Sequence, residues 1–363
     1  MTSTATTAGR LSRRTFIKTC AATAGGLALG ACANSPRFER RSSRPNILFI
    51  QSDQLAWQAI SANGCPHVQT PNIDRLMSRG VSFDLSYSAN PVCCPARSVW
   101  YTGRASSETG VVRNNVDILP SLPDLGQWLA PRGYEPVYMG KWHLPGRDYK
   151  KSFKVLTSGF RYGEHGDDAI ARTAQSFFRN YRGDKPFFLS LGFLQPHDIC
   201  YWPMLNPENL PELPYRRVAE QLPPLPPNHA TDAIEPEIIK RLSMSQFRGK
   251  WSELHWRYYR WAYYRSVEMV DAQVGRILDA LEDSGRDRDT AVIFSSDHGD
   301  GMGAHGLIGK SFFHEEAVRV PLVIACPGLL PEGVRDTRHL VSGLDFAPTV
   351  CGSPPRRDTM ISR

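Results

Sequence analysis

The chain has 363 residues, 41% of them hydrophobic and 22% charged, which is enough for one large α/β domain or two smaller ones with a substantial core. The formal net charge of +7 suggests a nucleic-acid partner until its distribution is read. Residues 1–44 hold eight Lys/Arg and one acid, so residues 45–363 are formally neutral; a nucleic-acid-binding domain would need a basic face of its own, and that function is excluded.

In chain order, residues 1–35 are an address. Ser12-Arg13-Arg14-Thr15-Phe16-Ile17-Lys18 resembles a twin-arginine export signal, and the apolar run Ala21–Ala31 is too short to span a bilayer. Leu29-Gly30-Ala31-Cys32 resembles a bacterial lipobox with Cys32 as the acylated residue. The competing reading is cleavage after Ala31-Cys32-Ala33. Leu29, three before the cysteine, favours the lipoprotein. Arg37, Arg40, Arg41 and Arg44 make 36–44 a basic tether. The expectation is an exported protein at the periplasm or cell surface, touching the membrane only through a lipid anchor. Six cysteines remain after the leader, with no CxxC pair and no spacing that assigns a disulfide.

Asn46–Gln51, entered through Pro45, is a continuous apolar run that predicts a buried parallel strand. Similar runs follow at Pro136–Met139, Phe187–Phe193, Ala291–Ser295 and Pro321–Ala325. Helical patterns lie between them. In the most regular, Tyr258–Glu282, Val267, Val270, Val274, Ile277 and Leu281 keep a 3–4 spacing. The alternation predicts an α/β fold with a mainly parallel sheet, whose chemistry gathers at the carboxyl ends of the strands. Polar residues follow the runs where that rule wants them: Asp53-Gln54, Gly140-Lys141, Gln195-Pro196-His197 and Asp297-His298. The stretch 203–257 is irregular, with seven prolines between Pro207 and Pro227, and reads as a long surface excursion.

The most informative segment runs Asn90-Pro91-Val92-Cys93-Cys94-Pro95-Ala96-Arg97 and on to Thr102-Gly103-Arg104. It resembles the sulfatase signature, C-x-P-x-R followed by T-G-R. Counting from Cys93 places Pro95 and Arg97 correctly, and counting from Cys94 does not. The resemblance implies the alkaline-phosphatase-like fold, a central mostly parallel sheet flanked by helices. It also implies that a formylglycine-generating enzyme oxidises Cys93 to formylglycine, whose hydrate attacks a sulfate monoester.

The same resemblance implies one divalent metal, Ca2+ first and Mg2+ or Mn2+ otherwise, held by Asp53, Gln54, Asp297, His298 and the group made from Cys93. Gln54 replaces the family's commoner second Asp, and Asp300 reads as a loop residue. Gly140-Lys141-Trp142-His143 resembles the family's G-K-W-H, with Lys141 on the sulfate and His143 at the hydrate; an extended chain would point both side chains one way. Gln195-Pro196-His197 implies His197 as acid to the leaving alcohol. Lys310 matches a lysine reaching the sulfate or leaving group, and Arg97 adds a further positive centre. His305, His314, Glu315-Glu316 and Arg319-Val320-Pro321 read as structural.

The implied reaction is hydrolysis of a sulfated small molecule or sulfated saccharide. Two competitors remain: a phosphonate monoester or phosphodiester hydrolase on the same scaffold, compatible with Asp53-Gln54, and a non-catalytic exported binding protein. The resemblance covers 45–350, read as one catalytic domain. Relatives continue into a small antiparallel sheet, so the C-terminal subdomain is expected to be missing, with 351–363 an irregular tail of a truncated product.

Overall fold

The structure is a computed structural model that describes residues 44–205, 216–231 and 234–352. The expected export signal, basic tether and Cys32 anchor lie outside these residues, as does the stretch beyond Gly352.

Ten strands are described: β1 (Asn46–Asp53), β2 (Val81–Phe83), β3 (Ser86–Tyr87), β4 (Glu135–Gly140), β5 (Lys154–Ser158), β6 (Phe187–Pro196), β7 (Thr290–Ser296), β8 (Leu322–Ala325), β9 (Val334–Asp336) and β10 (Val341–Ser342). Eight form one sheet in the order β5-β4-β6-β1-β7-β8-β2-β9, while β10 and β3 pair separately. The five strands β5, β4, β6, β1 and β7 run parallel. The run Pro321–Ala325, grouped above with the parallel strands, is instead β8 and lies antiparallel to both β7 and β2. It is half-buried in alternation, so its apolar character reflects one covered face rather than two.

β1 is buried at every residue because both of its neighbours and both sheet faces are occupied. Leu48 and Ile50 pack into the core beneath two long helices, here α3 (Gly163–Asn180) and α4 (Glu253–Asp283). Ile47 and Phe49 face the opposite core, with Trp100 and Tyr101 of α2 (Cys93–Thr102) and Phe346 of α5 (Phe346–Cys351). The helix preceding these, α1 (Pro71–Ser78), is pinned to α4 by Asp271, whose carboxylate accepts from the Asn72 and Ile73 amides. Cys351, expected in the irregular tail, closes α5, and Gly352 stops that helix in the left-handed region. No helix among the described residues is long and apolar enough to cross a membrane. All six described cysteines are free thiols.

The short strands β2, β3, β9 and β10 and the edge strand β5 were not legible, because two to five residues carry no decisive period. The end of β6 is set by a buried acid. Asp167 on α3 accepts from the backbone amides of Leu194 and Gln195 at 2.7 and 2.9 Å, and burial raises its carboxyl to about 7. Asp167→Ala would strand two buried N–H groups. The expected loss of stability in urea denaturation is about 2–5 kcal/mol.

Candidate active site

The site assembles at the carboxyl edge of the central strands. β1 delivers Asp53 and then turns sharply at Gln54, whose φ of 73° lies in the left-handed region. Parallel pairing with β7 carries Asp297 and His298 to the same level. β4 ends at Gly140, where φ is 90° and a Cβ would sit 2.1 Å from the Gly192 carbonyl oxygen, so only glycine fits beside β6. That turn presents Lys141. His143 itself has φ of 51°, so the extended chain expected over 141–143 is not what places it. β6 ends at Pro196 and hands on His197.

Cys93 is the first residue of α2, so its Sγ lies at the positive end of the helix dipole. Pro95 is tolerated in this first turn, where its missing N–H costs no helical bond. Asn114 Oδ1 accepts from the Cys94 amide at 2.9 Å. Gly103, the G of T-G-R, closes the helix with φ of 66° and donates its N–H to the Val99 carbonyl. One turn after Cys93, Arg97 points inward along the same face.

Arg97 is fully buried and makes four directed bonds. Nε donates to Asp297 at 3.1 Å and one terminal nitrogen to Asp53 at 2.9 Å; the other donates to Gln51 Oε1 at 3.2 Å and the Lys141 carbonyl at 3.0 Å. Gln51 in turn donates to the Tyr101 hydroxyl and to Ser190, both at 2.7 Å. Lys141 Nζ reaches Asp53 at 2.7 Å. Burial works against ionising Asp53, but Lys141, His197 and Arg97 hold its carboxyl well below the usual range. Asp297 goes the other way: burial and the neighbouring Asp53 push it up.

Around Cys93 the ring closes. Its Sγ lies 3.1 Å from Lys310 Nζ, 3.1 Å from His298 Nε2 and 3.8 Å from Asp53 Oδ1. Burial and Asp53 oppose ionisation of the thiol, and Lys310, His298 and Lys141 outweigh them, leaving it well below a free cysteine. His143 lies against the same sulfur: hydrogen bonding to Cys93 and then Cys94 pushes its imidazole up to about 9, and its Nδ1 has no partner among the described residues. His197 Nε2 is 4.0 Å from Asp53, and burial together with Lys310 pushes that imidazole down. All ten site residues expected from sequence therefore lie in one connected cluster.

The donor set could hold a metal ion. Asp53, Cys93, Asp297 and His298 are all buried and offer ligand atoms within 4.8 Å of one another. His298 Nδ1 donates to the Gly299 carbonyl at 2.9 Å, which aims Nε2 at the cluster, where it would offer its lone pair to a cation once the ring gives up its proton. Two carboxylates that repel each other in a dry site are the usual mark of a place for positive charge. Gln54 sits beside them, but its amide is already engaged. Nε2 donates to Asp300 at 2.7 Å, and Oε1 accepts from Lys310 at 2.7 Å and from the Cys200 thiol at 3.3 Å. It can serve as a ligand only by releasing one of those donors.

Sequence reasoning missed the supporting residues. Gln51 ends an apolar run and reads as strand. Tyr259 and Tyr263 fall on the buried stripe of α4 and read as core. Yet Tyr263 donates to the Gln54 carbonyl at 2.8 Å, and Tyr259 binds Asp300 at 2.9 Å. Asp300 also accepts from the Met302 and Gly309 amides, which confirms it as the residue shaping the loop before Lys310.

The family model described as Sulfatase matches residues 45–353. This chain belongs to the sulfatase family. A Delta 4,5-hexuronate-2-O-sulfatase of Bacteroides thetaiotaomicron is 30% identical over 354 residues, covering 90% of this chain and 70% of that protein. An N-acetylglucosamine-6-O-sulfatase of the same organism is 27% identical over 397 residues, covering 89% and 70%. A solved 2-O GAG sulfatase superposes with a TM-score of 0.75 at 26% identity, covering 88% of this chain and 73% of that one. The protein is thus a sulfatase, an enzyme of sulfate ester hydrolysis, on the mostly parallel α/β sheet of that family.

In this sulfatase Arg97 is the residue on which both carboxylates depend. Arg97→Leu is expected to cost about 3–5 kcal/mol in urea denaturation, because it takes the guanidinium from the buried Asp297 and leaves Asp53 to Lys141. Adding Asp297→Asn should recover part of that loss by removing the stranded charge.

Proposed function

We propose that this sulfatase hydrolyses a sulfate monoester of a saccharide, using a formylglycine made from Cys93 and a divalent cation beside it. The observation that carries the reading is the position of Cys93 Sγ, at a helix N-terminus and within 3.1 Å of both Lys310 and His298. The saccharide class is taken from the hexuronate and N-acetylglucosamine sulfatases to which the chain is similar.

Formylglycine, as its hydrate, would supply two hydroxyls on one carbon, one to bond to sulfur as the bond from sulfur to the alcohol oxygen breaks and the other to let the aldehyde re-form as sulfate departs. Asp53, Gln54, Asp297 and His298 would hold the cation, with calcium the expected ion, and its chemistry there would be a positive centre that favours the ionised hydroxyl. The chain's own residues do the rest. Lys141 and Lys310 flank the sulfur position with fixed positive charge, in a site dry enough for that charge to act strongly. Arg97 has spent four donors on Asp53, Asp297, Gln51 and the Lys141 carbonyl, so it positions these groups and adds field without touching the ester. His143, against Cys93, holds a proton at the nucleophile. Asp297, raised by burial, suits the role of proton acceptor from it. His197 is partly exposed at the mouth and donates to the departing alcohol; the incoming anion offsets the burial that depresses its imidazole.

We place this enzyme outside the cytoplasm, exported by the twin-arginine machinery, anchored through Cys32 and matured by a formylglycine-generating enzyme. The support is the leader's resemblance to those signals.

Mass spectrometry of the mature protein tests maturation and anchoring together. The tryptic peptide Gly80–Arg97 should have lost sulfur at Cys93, and the N-terminus should be an acylated Cys32. Active enzyme with both cysteines of that peptide intact would refute the nucleophile. Among matched aryl sulfate, phosphate and phosphonate esters, the sulfate should have the highest kcat/KM. Preference for the phosphonate in every metal would assign the chain to the other hydrolytic class.

Calcium should raise the Tm and EDTA should reverse the rise, since a ligand of the native state alone stabilises it by mass action. Asp297→Asn should abolish that calcium response. An unchanged calcium response in the variant would remove Asp297 from the ligand set.

A further inference from the structure

One feature at the mouth plays no part in the reaction as derived above. His197 opens a turn of 3-10 helix, His197–Tyr201, and the Tyr201 ring at its far end lies 6.3 Å from the imidazole. Beyond it stands Tyr162, in the connection between β5 and α3, with its ring 4.9 Å from Tyr201 and nearly edge-on to it. Beyond that again, the Arg161 guanidinium lies 5.4 Å from the centre of the Tyr162 ring. The row leads outward: His197 is 19% exposed at its side chain, Tyr201 is half-buried, Tyr162 is 43% exposed and Arg161 is exposed.

The row is anchored to the site. Asp198 accepts from the Glu164 amide at 3.0 Å and from the Gln195 side chain at 2.9 Å, tying the start of α3 to the His197 turn. Gly163 packs so closely that a Cβ there would meet Gln195 at 2.7 Å. The three side chains nonetheless have little to do within the fold. Among the described residues, neither phenolic hydroxyl has a hydrogen-bond partner and Arg161 has no ion-pair partner; the exposed Glu164 nearby does not bind it. A half-buried and an exposed tyrosine set side by side are well suited to contact. Each offers an apolar face and a polar tip at little cost in side-chain entropy.

We propose that Tyr201, Tyr162 and Arg161 form the subsite for the leaving-group side of the substrate, and that it takes a saccharide with a second anionic group. The inference rests on the sulfate-ester reading above, which puts His197 at the departing oxygen. A sugar released there extends along the row. The C–H face of its ring packs on the tyrosines, their hydroxyls meet ring hydroxyls, and Arg161 binds a carboxylate or a second sulfate in the bidentate manner open to guanidinium.

The experiment compares a nitrophenyl sulfate, which has no second ring, with a monosulfated disaccharide containing a uronate. In Arg161→Gln and in Tyr162→Ala, the ratio of the disaccharide's kcat/KM to the aryl sulfate's should fall about tenfold, chiefly through KM, the size expected for one charge-assisted bond. A ratio within about twofold of the wild type in both variants overturns the subsite. Substrates with the carboxylate reduced, or replaced by a second sulfate, tell which anion Arg161 reads; dependence on neither overturns its role. Calorimetry with the desulfated disaccharide separates this idea from the reading beneath it. A wild type that turns over no sulfate ester, yet binds the disaccharide with Arg161-dependent affinity, keeps the subsite and loses the hydrolase. Turnover of sulfate esters with equal disaccharide affinity in wild type and variants keeps the hydrolase and loses the subsite.

Discussion

Two carboxylates from different strands, Asp53 and Asp297, converge in a fully buried place, and Arg97 lies between them. Such a cluster is unstable unless its charges are matched, because each unpaired ion would cost several kcal/mol of lost solvation. The match fixes geometry at long range. Arg97 can meet both acids only if β1 and β7 are in register and α2 enters at the right height. Its remaining bonds to Gln51 and to the Lys141 carbonyl add β4 to the same constraint. Once Arg97 is seated, Cys93 has no freedom, being one helical turn away on the same face. The electrostatics of the site and the packing of the central sheet are therefore one problem with one solution.

A second tier holds the parts that must come from farther away. Lys310 arrives on a loop after β7 that is closed on itself by Asp300 and by the Gly301–Gly309 backbone pair. The Pro-rich excursion clamps that loop from outside. Arg248 makes a double bond pair with Glu235 at 2.6 Å and donates to the His305 carbonyl, while the Ile308 amide reaches the Met244 carbonyl. His305 and His314 stack at 4.2 Å within the same brace, which gives them the structural character expected of them. Residues 235–248 of that excursion are thus a buttress for the loop that carries Lys310.

Much of this was legible because the sheet centre and the chemistry obey simple rules. Continuous apolar runs marked β1, β4, β6 and β7, and a polar residue after each marked the edge where function gathers. The Cys93–Arg97 spacing singles out one of two adjacent cysteines by resemblance, and in the structure it puts thiol and guanidinium one helical turn apart. The Pro321–Ala325 run was assigned the wrong direction because apolar content reports burial and not strand polarity. Lys141 and His143 were expected to share a direction through extended backbone, and instead a left-handed Gly140 and a left-handed His143 produce the placement. Tyr259, Tyr263 and Gln51 could not be separated from core by pattern, since a buried polar tip on an apolar stripe leaves the period unchanged.

Gln54 shows what residue identity alone leaves out. Seen in sequence, it is a metal ligand that has lost a charge. In place, its amide is a cross-link with both ends used: the nitrogen binds an acceptor-only carboxylate, Asp300, and the oxygen accepts from a donor-only ammonium, Lys310. That polarity admits a single orientation of the amide. An Asp at this position would face Asp300 with no donor between them, so the neutral side chain and the buried Asp300 require one another. The same amide orients Lys310 toward Cys93. The missing negative charge is thus bound up with how Lys310 is aimed, and the two features have to be changed together to be understood.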